Sequence, residues 1–278
     1  GFDENQRPDN PQEMLKSNFY FSGLMAGEMS CSVIKRANHN PKGHYYYAID
    51  LTVTNADKQL LNQVNQIVMK GRGIITPVKG AYNLSARGKD KVQIVLNFLA
   101  KYGILVGDLA INRINILKDA LICLNGKTSQ NIKSEIIENL REKLRAIKQR
   151  SVVDSSFELA TSDRDALGYF LSGVLDGEGS FSVKSSGLYK QPFVAIAMKD
   201  KKIIETLCQF VGHGKTRLRK DSVYHWEVSS KAVLQRVCDM FISQYPLRHK
   251  RQRERLEKIQ QLLNDYTPKS LELQFQRT

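Results

Sequence analysis

Leu171-Ser-Gly-Val-Leu-Asp-Gly-Glu178-Gly-Ser-Phe-Ser-Val183 repeats, at an offset of 150 residues, an earlier stretch of the same chain, Phe21-Ser-Gly-Leu-Met-Ala-Gly-Glu28-Met-Ser-Cys-Ser-Val33. Two further blocks follow in the same order at an offset of 143. Leu60, Leu61, Val64, Ile67 and Val68 lie against Ile203, Ile204, Leu207, Phe210 and Val211, and Ile94, Phe98, Leu99 and Tyr102 against Val237, Phe241, Ile242 and Tyr245. Three blocks in one order make the chain a duplication, the feature to settle before any motif is trusted. The second copy is seven residues shorter, and the first hairpin is the natural place for the difference.

Each copy reads as helix, strand, strand, helix, two shorter strands, helix. In the second, Ser162 followed by Asp165 resembles a capping box, and Leu167, Phe170, Leu171, Val174 and Leu175 recur at helical spacing up to a stop near Gly177. The period then switches to two: Phe181 and Val183 alternate with Ser180, Ser182 and Lys184, as a half-buried strand requires. The clearest strand is in the first copy, with Tyr45, Tyr47, Ile49, Leu51 and Val53 on the packed face and His44, Tyr46, Ala48, Asp50, Thr52 and Thr54 on the wet one. Turns near Lys79-Gly80 and Lys220-Asp221 divide the later strand pairs, and Trp226 reads as core. The expected organisation is a tail over 1–16, a first repeat over 17–131, a basic helical linker over 132–160 with Ile137, Leu140, Leu144 and Ile147 at helical spacing, a second repeat over 161–264 and a tail over 265–278. The last part of the linker, Ser151 to Ser156, is polar.

Composition narrows the function. The 42 Lys and Arg against 28 Asp and Glu leave a net charge of +14, which favours a polyanion. No apolar run approaches the roughly 20 residues of a membrane span and no secretory signal is visible, so nucleic acid is preferred to a lipid surface. Cys31, Cys123, Cys208 and Cys238 lack zinc-site spacing and read as packing residues, and the scattered histidines make no metal cluster or triad.

Gly23 and Gly27, like Gly173 and Gly177, stand one helical turn apart, so one face of each helix permits close backbone approach. Pairing those helices brings Glu28 and Glu178 together at their C-terminal ends. Two carboxylates with the carbonyls of Gly27 and Gly177 make a hard-oxygen site suited to Mg²⁺, the usual device for hydrolysing phosphodiesters. The stretch Leu171 to Gly179 closely resembles the LAGLIDADG motif, with Glu178 at its second acidic position, and Phe21 to Met29 is a degraded copy. The resemblance covers roughly Ser17 to Leu263 and is to the single-chain, two-repeat homing endonucleases of that family. It implies an α+β fold of two pseudo-symmetric αββαββα repeats, a saddle of antiparallel sheets over double-stranded DNA, and paired helices at the interface. It further implies Glu28 and Glu178 as catalytic metal ligands, Mg²⁺ as cofactor, cleavage of both strands of a long site across the minor groove, a monomer, and an organellar setting, mitochondrion or chloroplast. Asp176 is read as an interface residue, so Ala26 in its place spares the metal pair. The family's auxiliary basic or amide side chain is not assigned, because Asp50, Ser85, Phe193 and Glu227 occupy the places where it is sought.

A β-ribbon can follow the major groove, and wet-face donors at a two-residue period are the candidate DNA contacts. In the first repeat these are Ser30, Ser32, Arg36, Asp50, Thr52, Arg72, Ser85 and Arg87. In the second they are Ser180, Ser182, Lys184, Gln191, Arg217, Arg219, His225 and Glu227, with Lys250 in a basic run from Arg248 to Arg255 placed against the phosphates. Met29 in place of Gly179 denies the first motif a positive-φ turn, so the Glu28 side is expected to hold metal more loosely. Two other readings share the fold: an intron maturase that binds RNA without cutting, and a protein retained for nucleic-acid binding alone.

Overall fold

The computed structural model describes residues 11–37, 45–149, 162–186 and 189–264. The polar segment from Ser151 to Ser156, His44, the tail over 265–278 and the first ten residues lie outside them.

Helices α2 (Phe19–Glu28) and α7 (Arg164–Glu178) form the axis of the molecule and pack along each other. Tyr20 to Ala26 and Ala166 to Asp176 are buried without a break, as expected of helices apolar on all sides. The cap of α7 is Asp163 rather than Ser162: its carboxylate accepts from the backbone amides of Asp165 at 3.0 Å and Ala166 at 3.2 Å. Asp163 also binds Lys16 at 3.0 Å, which ties α1 (Pro11–Ser17), part of the expected tail, to the start of α7.

Each axial helix runs directly into a strand. In the first repeat β1 (Met29–Ala37), β2 (Tyr45–Asn55), β3 (Ile74–Val78) and β4 (Ala81–Arg87) make an antiparallel sheet of order β1-β2-β4-β3. In the second, β5 (Gly179–Ser186), β6 (Tyr189–Met198), β7 (Lys215–Leu218) and β8 (Tyr224–Val228) repeat it as β5-β6-β8-β7. Ile49, Leu51 and Val53 are fully buried, while Asp50, Thr52 and Thr54 stay half-buried on the other face. Tyr45, at the far end of that strand, is instead 54% exposed and lies beneath the Lys35 ammonium. Trp226 is fully buried.

The packed faces carry α3 (Lys58–Ile67) and α4 (Lys89–Lys101) in the first repeat and α8 (Lys201–Val211) in the second, where α9 (Lys231–Cys238) packs beside α8. A π-helical turn, Asp239–Gln244, extends α9. Two helices of the first repeat had no place in the repeat pattern or an incomplete one. α5 (Asp108–Asn125) covers β1 and β2, and α6 (Gln130–Gln149) buries Ile137, Leu140 and Leu144 against α5 and β1. The basic linker is therefore in part a packed layer, pinned by Glu138, which accepts from Tyr47 Oη at 3.0 Å and pairs with Lys35 at 3.6 Å. In the second repeat α10 (Lys250–Asn264) covers β5 and β6 as α5 covers β1 and β2.

The repeats cap each other's covering helices. Asp200, before α8, accepts from the amides of Asp108 at 3.2 Å and Leu109 at 2.9 Å, where α5 begins. Asp57, which caps α3, accepts from the amide of Lys250 at 3.1 Å, where α10 begins. Each carboxylate satisfies helix N-terminal donors supplied by the other repeat.

Candidate carboxylate centre and nucleic-acid interface

Glycine sets how near the axial helices come. A Cβ on Gly23 would lie 2.7 Å from the carbonyl carbon of Phe170, and one on Gly173 would lie 2.6 Å from the amide nitrogen of Leu24. Real Cβ atoms do not approach backbone so closely, so both residues must be glycine at this separation. One turn later the contact passes from backbone to side chain. A Cβ on Gly27 would stand 3.0 Å from Glu178 Cγ, and one on Gly177 would stand 2.9 Å from Glu28 Cγ. Each glutamate thus lies across the glycine that precedes the other, and the two carboxyls share the lower end of the helix pair.

Burial lifts both acids. Glu28 rises to about 8, first from desolvation and then from the charge of Glu178, with the Asn55 hydrogen bond opposing. Glu178 is also raised by burial, with the Arg113 guanidinium opposing. The pair is short of positive charge. Among the described residues no group of three His, Cys, Asp or Glu gathers, so a cation here would rest on Glu28, Glu178, the nearby backbone carbonyls and oxygens brought by a ligand. Hard oxygen donors with unmet charge fit Mg²⁺.

Three side chains around the pair were not identified from sequence. Asn55, at the end of β2, donates from Nδ2 to Glu28 at 3.2 Å while its own Oδ1 accepts from the amide of Asp57 at 2.8 Å. Arg113 of α5 donates to the carbonyl of Met29 at 3.2 Å, and Gln252 of α10 donates to the carbonyl of Gly179 at 2.8 Å. They hold equivalent points just beyond the two helix ends. Arg113 Nε and Gln252 Oε1 are buried and have no hydrogen-bond partner among the described residues. The signal was absent from the repeat because α5 and α10 meet the strands in different registers, and Met198 stands where Asn55 would recur.

Met29 does not act as its replacement of a glycine suggested. Met29 takes φ −82° and Gly179 takes φ −73°, both extended, so neither position uses a positive-φ turn and Met29 costs no backbone freedom. Asp176 is buried away from solvent, and its Oδ2 accepts from Tyr20 Oη at 2.6 Å and from the amides of Arg248 at 2.6 Å and His249 at 2.9 Å. Desolvation raises this carboxyl to about 7 against those donors and the Arg248 charge. Arg248 in turn stacks over Tyr20 and Phe21, with ring centroids at 4.4 and 4.8 Å, and donates to the carbonyl of Ser17 at 3.1 Å. His249 is therefore buried and Arg248 half-buried against Tyr20 and Phe21, turned away from a phosphate-facing run, whereas Lys250 and Arg251 are exposed. At the pseudo-symmetric places of Asp176, Tyr20, Arg248 and His249 stand Ala26, Phe170, Leu105 and Val106, all buried and all apolar.

The wet faces of both sheets hold most of the remaining candidates. Ser30, Arg36, Arg87, Ser180, Ser182, Lys184, Gln191, Arg217 and Arg219 are exposed, and Ser32, Asp50, Thr52, His225 and Glu227 are half-buried. Arg72 is exposed but lies in the loop before β3 and not on a strand. Ser85 is 3% exposed, because Thr52 Oγ1 sits 3.1 Å from its hydroxyl and neighbouring strands close over it. It is a sheet-internal group and not a free contact. No helix among the described residues is long and apolar enough to cross a membrane.

Residues 171–262 match the family model described as LAGLIDADG endonuclease. No protein of curated function matches the chain by sequence. Among solved structures, the LAGLIDADG homing endonuclease I-GzeII in complex with its DNA target is similar with a TM-score of 0.74 at 14% identity, over 89% of this chain and 91% of that one. I-SmaMI bound to uncleaved DNA target in the presence of calcium ions is similar with a TM-score of 0.72 at 20% identity, over 92% and 95%. The LAGLIDADG meganuclease I-CpaMI bound to uncleaved DNA gives 0.70 at 16%, over 89% and 92%. The likeness at these identities is one of fold, and it spans both repeats.

Proposed function

We propose that this chain, a LAGLIDADG-family protein by the sequence of its second repeat and the fold of both, is a site-specific endonuclease of the homing type that binds double-stranded DNA along its two sheets and cuts both strands at Glu28 and Glu178. The observation that carries the reading is the crossing of the two glutamates over Gly177 and Gly27 on the molecular axis, between the sheets. Glu28 and Glu178 would hold Mg²⁺, which supplies the charge that activates water and steadies the leaving oxygen. The chain's own residues prepare that place. Asn55 orients the Glu28 carboxylate, Arg113 and Gln252 fix the backbone just beyond each helix end, and the Arg113 charge favours the ionised form of Glu178 against burial. Two repeats in one chain let a monomer span a long, asymmetric site.

The binding-only and RNA-assisting readings draw on the degraded first motif and on the unassigned auxiliary side chain. The endonuclease reading is supported by the Asp176 carboxylate, which is taken up by Tyr20 and the amides of Arg248 and His249, so that Ala26 in the corresponding place takes no metal ligand from the pair. The test is selective cutting of a plasmid library carrying a long randomised window, with Mg²⁺ or EDTA. Glu28→Gln and Glu178→Gln should each abolish double-strand cutting of the recovered site and leave its gel-shift affinity within about threefold, since neither removes a base contact. A variant that cuts both strands normally would defeat the assignment.

A further inference from the structure

The strand registers allow the wet faces to be compared position by position. Trp226 pairs with Ile196, and Leu84 with Val53; Ile196 and Val53 in turn pair with Gly179 and Met29. Glu227 and His225 therefore occupy the places of Ser85 and Asn83. Lys215 and Arg217, which pair with them, occupy those of Ile74 and Thr76, and Ala195 and Ala197 occupy those of Thr52 and Thr54.

The faces differ in kind. On the first sheet the polar groups are spent on one another: Thr52 lies 3.1 Å from Ser85, and Thr54 donates to Asn83 at 2.8 Å. At the matched places it presents Ile74, 45% exposed, and half-buried Thr76, while its arginines, Arg36 and Arg87, stand elsewhere on the face. On the second sheet alanines replace the threonines, and a hollow opens that is lined by Lys184, Lys215, Arg217, His225 and Glu227. Glu227 is engaged by Lys184, which also lies 4.6 Å over the Phe193 ring. Arg217 and Lys215 are exposed, with no carboxylate partner among the described residues. Burial and the neighbouring Arg217 charge lower the basicity of His225, which keeps its ring neutral beside them and able to accept as well as donate.

A guanidinium fork matches O6 and N7 of guanine in the major groove, whereas methyl groups find only the thymine methyl and groove shape. We infer that the second sheet selects guanine through Arg217, and that at the matched place the first sheet, with Thr76, makes no such selection. The inference rests on the DNA-binding reading above. It implies a guanine preference at one position of the half-site under the second repeat with no counterpart at the matched position of the other half-site.

The experiment is selection of bound duplexes from a randomised pool by the full chain in EDTA, repeated with Arg217→Ala and with Thr76→Arg, each checked for native circular dichroism. The parent should enrich a fixed guanine at one position of one half-site and no fixed guanine at the matched position of the other. Arg217→Ala should erase the preference at that guanine and weaken binding of the parent's best site about tenfold. Thr76→Arg should add a guanine preference at that matched position. A fixed guanine at both matched positions in the parent's pool, or an Arg217→Ala pool identical to the parent's, would overturn the inference while leaving DNA binding intact. A pool with no enrichment by the parent would overturn the DNA-binding reading and the inference with it.

Discussion

Gly173→Ala should destabilise the protein by about 3 kcal/mol, although alanine is favoured over glycine in a helix by about 1 kcal/mol. The added methyl would sit 2.6 Å from the amide nitrogen of Leu24 and 2.9 Å from the carbonyl carbon of Tyr20, and closer still to the Tyr20 oxygen. Relaxed carbon contacts need about 3.5 Å, so the helices must part by roughly 1 Å. A gap of that size forfeits a quarter to a half of each dispersion contact across it. The side chains that lose it are Tyr20, Phe21, Leu24, Phe170, Leu171 and Val174, at most 1% exposed. The same movement stretches the 2.6 Å bond from Tyr20 to Asp176 and separates the glutamates. Urea unfolding should give a lower midpoint with an unchanged slope, and the melting temperature should fall by roughly 6–12 °C. Gly126→Ala is the control: its Cβ would meet carbonyl oxygens at an ordinary 3.5 Å, and stability should change by less than about 1 kcal/mol. A Gly173→Ala protein as stable as the parent would show that backbone contact does not set the helix approach.

Tyr20→Phe should cost about 1–3 kcal/mol by leaving Asp176 with fewer donors, and adding Asp176→Ala to it should cost less than the two single changes summed, by at least about 1 kcal/mol in a double-mutant cycle; additive values would deny the coupling. The pH response follows from Glu28 at about 8 and Asp176 at about 7, both above their ordinary values of 4.5 and 3.8. The folded state then binds more protons than the unfolded one across that interval, so stability without metal should fall as pH rises from about 4 to about 8. Millimolar Mg²⁺ should restore the melting temperature at pH 8 far more than at pH 5, and an equal gain at both would contradict the shared acidic centre. Affinity for a recovered DNA site should fall with salt at a log–log slope of about −0.9 per phosphate neutralised, and a flat plot would exclude the basic faces as the binding surface.

What could be read from sequence was whatever periodicity or small residues declare locally. The alternation in Tyr45 to Val53 fixed which face is packed, and the glycine pairs announced a close helix contact before any geometry was available. Features set by tertiary placement were not declared. Arg113 and Gln252 reach the helix ends only because Asp200 and Asp57 seat the starts of α5 and α10 across the repeat boundary. Arg248 looked like one more cation in a run, and its burial under Tyr20 and Phe21 depends on residues more than two hundred positions away. Ser85 has the right parity for a DNA contact, but parity carries no information on how closely β2 and β3 flank β4. Ser162 lost the cap to Asp163 by one residue, a choice that Lys16 reinforces from the other end of the sequence.

The polar set of Asp176, Tyr20, Arg248 and His249, with its apolar mirror Ala26, Phe170, Leu105 and Val106, makes the two halves mutually exclusive partners. If two first repeats met across this axis, each buried tyrosine hydroxyl would face an alanine; if two second repeats met, each Asp176 would face a phenylalanine. The first pairing strands a hydroxyl on both sides of the axis, at about 1–3 kcal/mol apiece, and in the second each Asp176 loses its tyrosine donor while keeping the amides of Arg248 and His249. The contrast at these four pairs of positions thus makes each half favour its opposite over a second copy of itself, and a first repeat meeting another first repeat would lack the carboxylate its tyrosine requires.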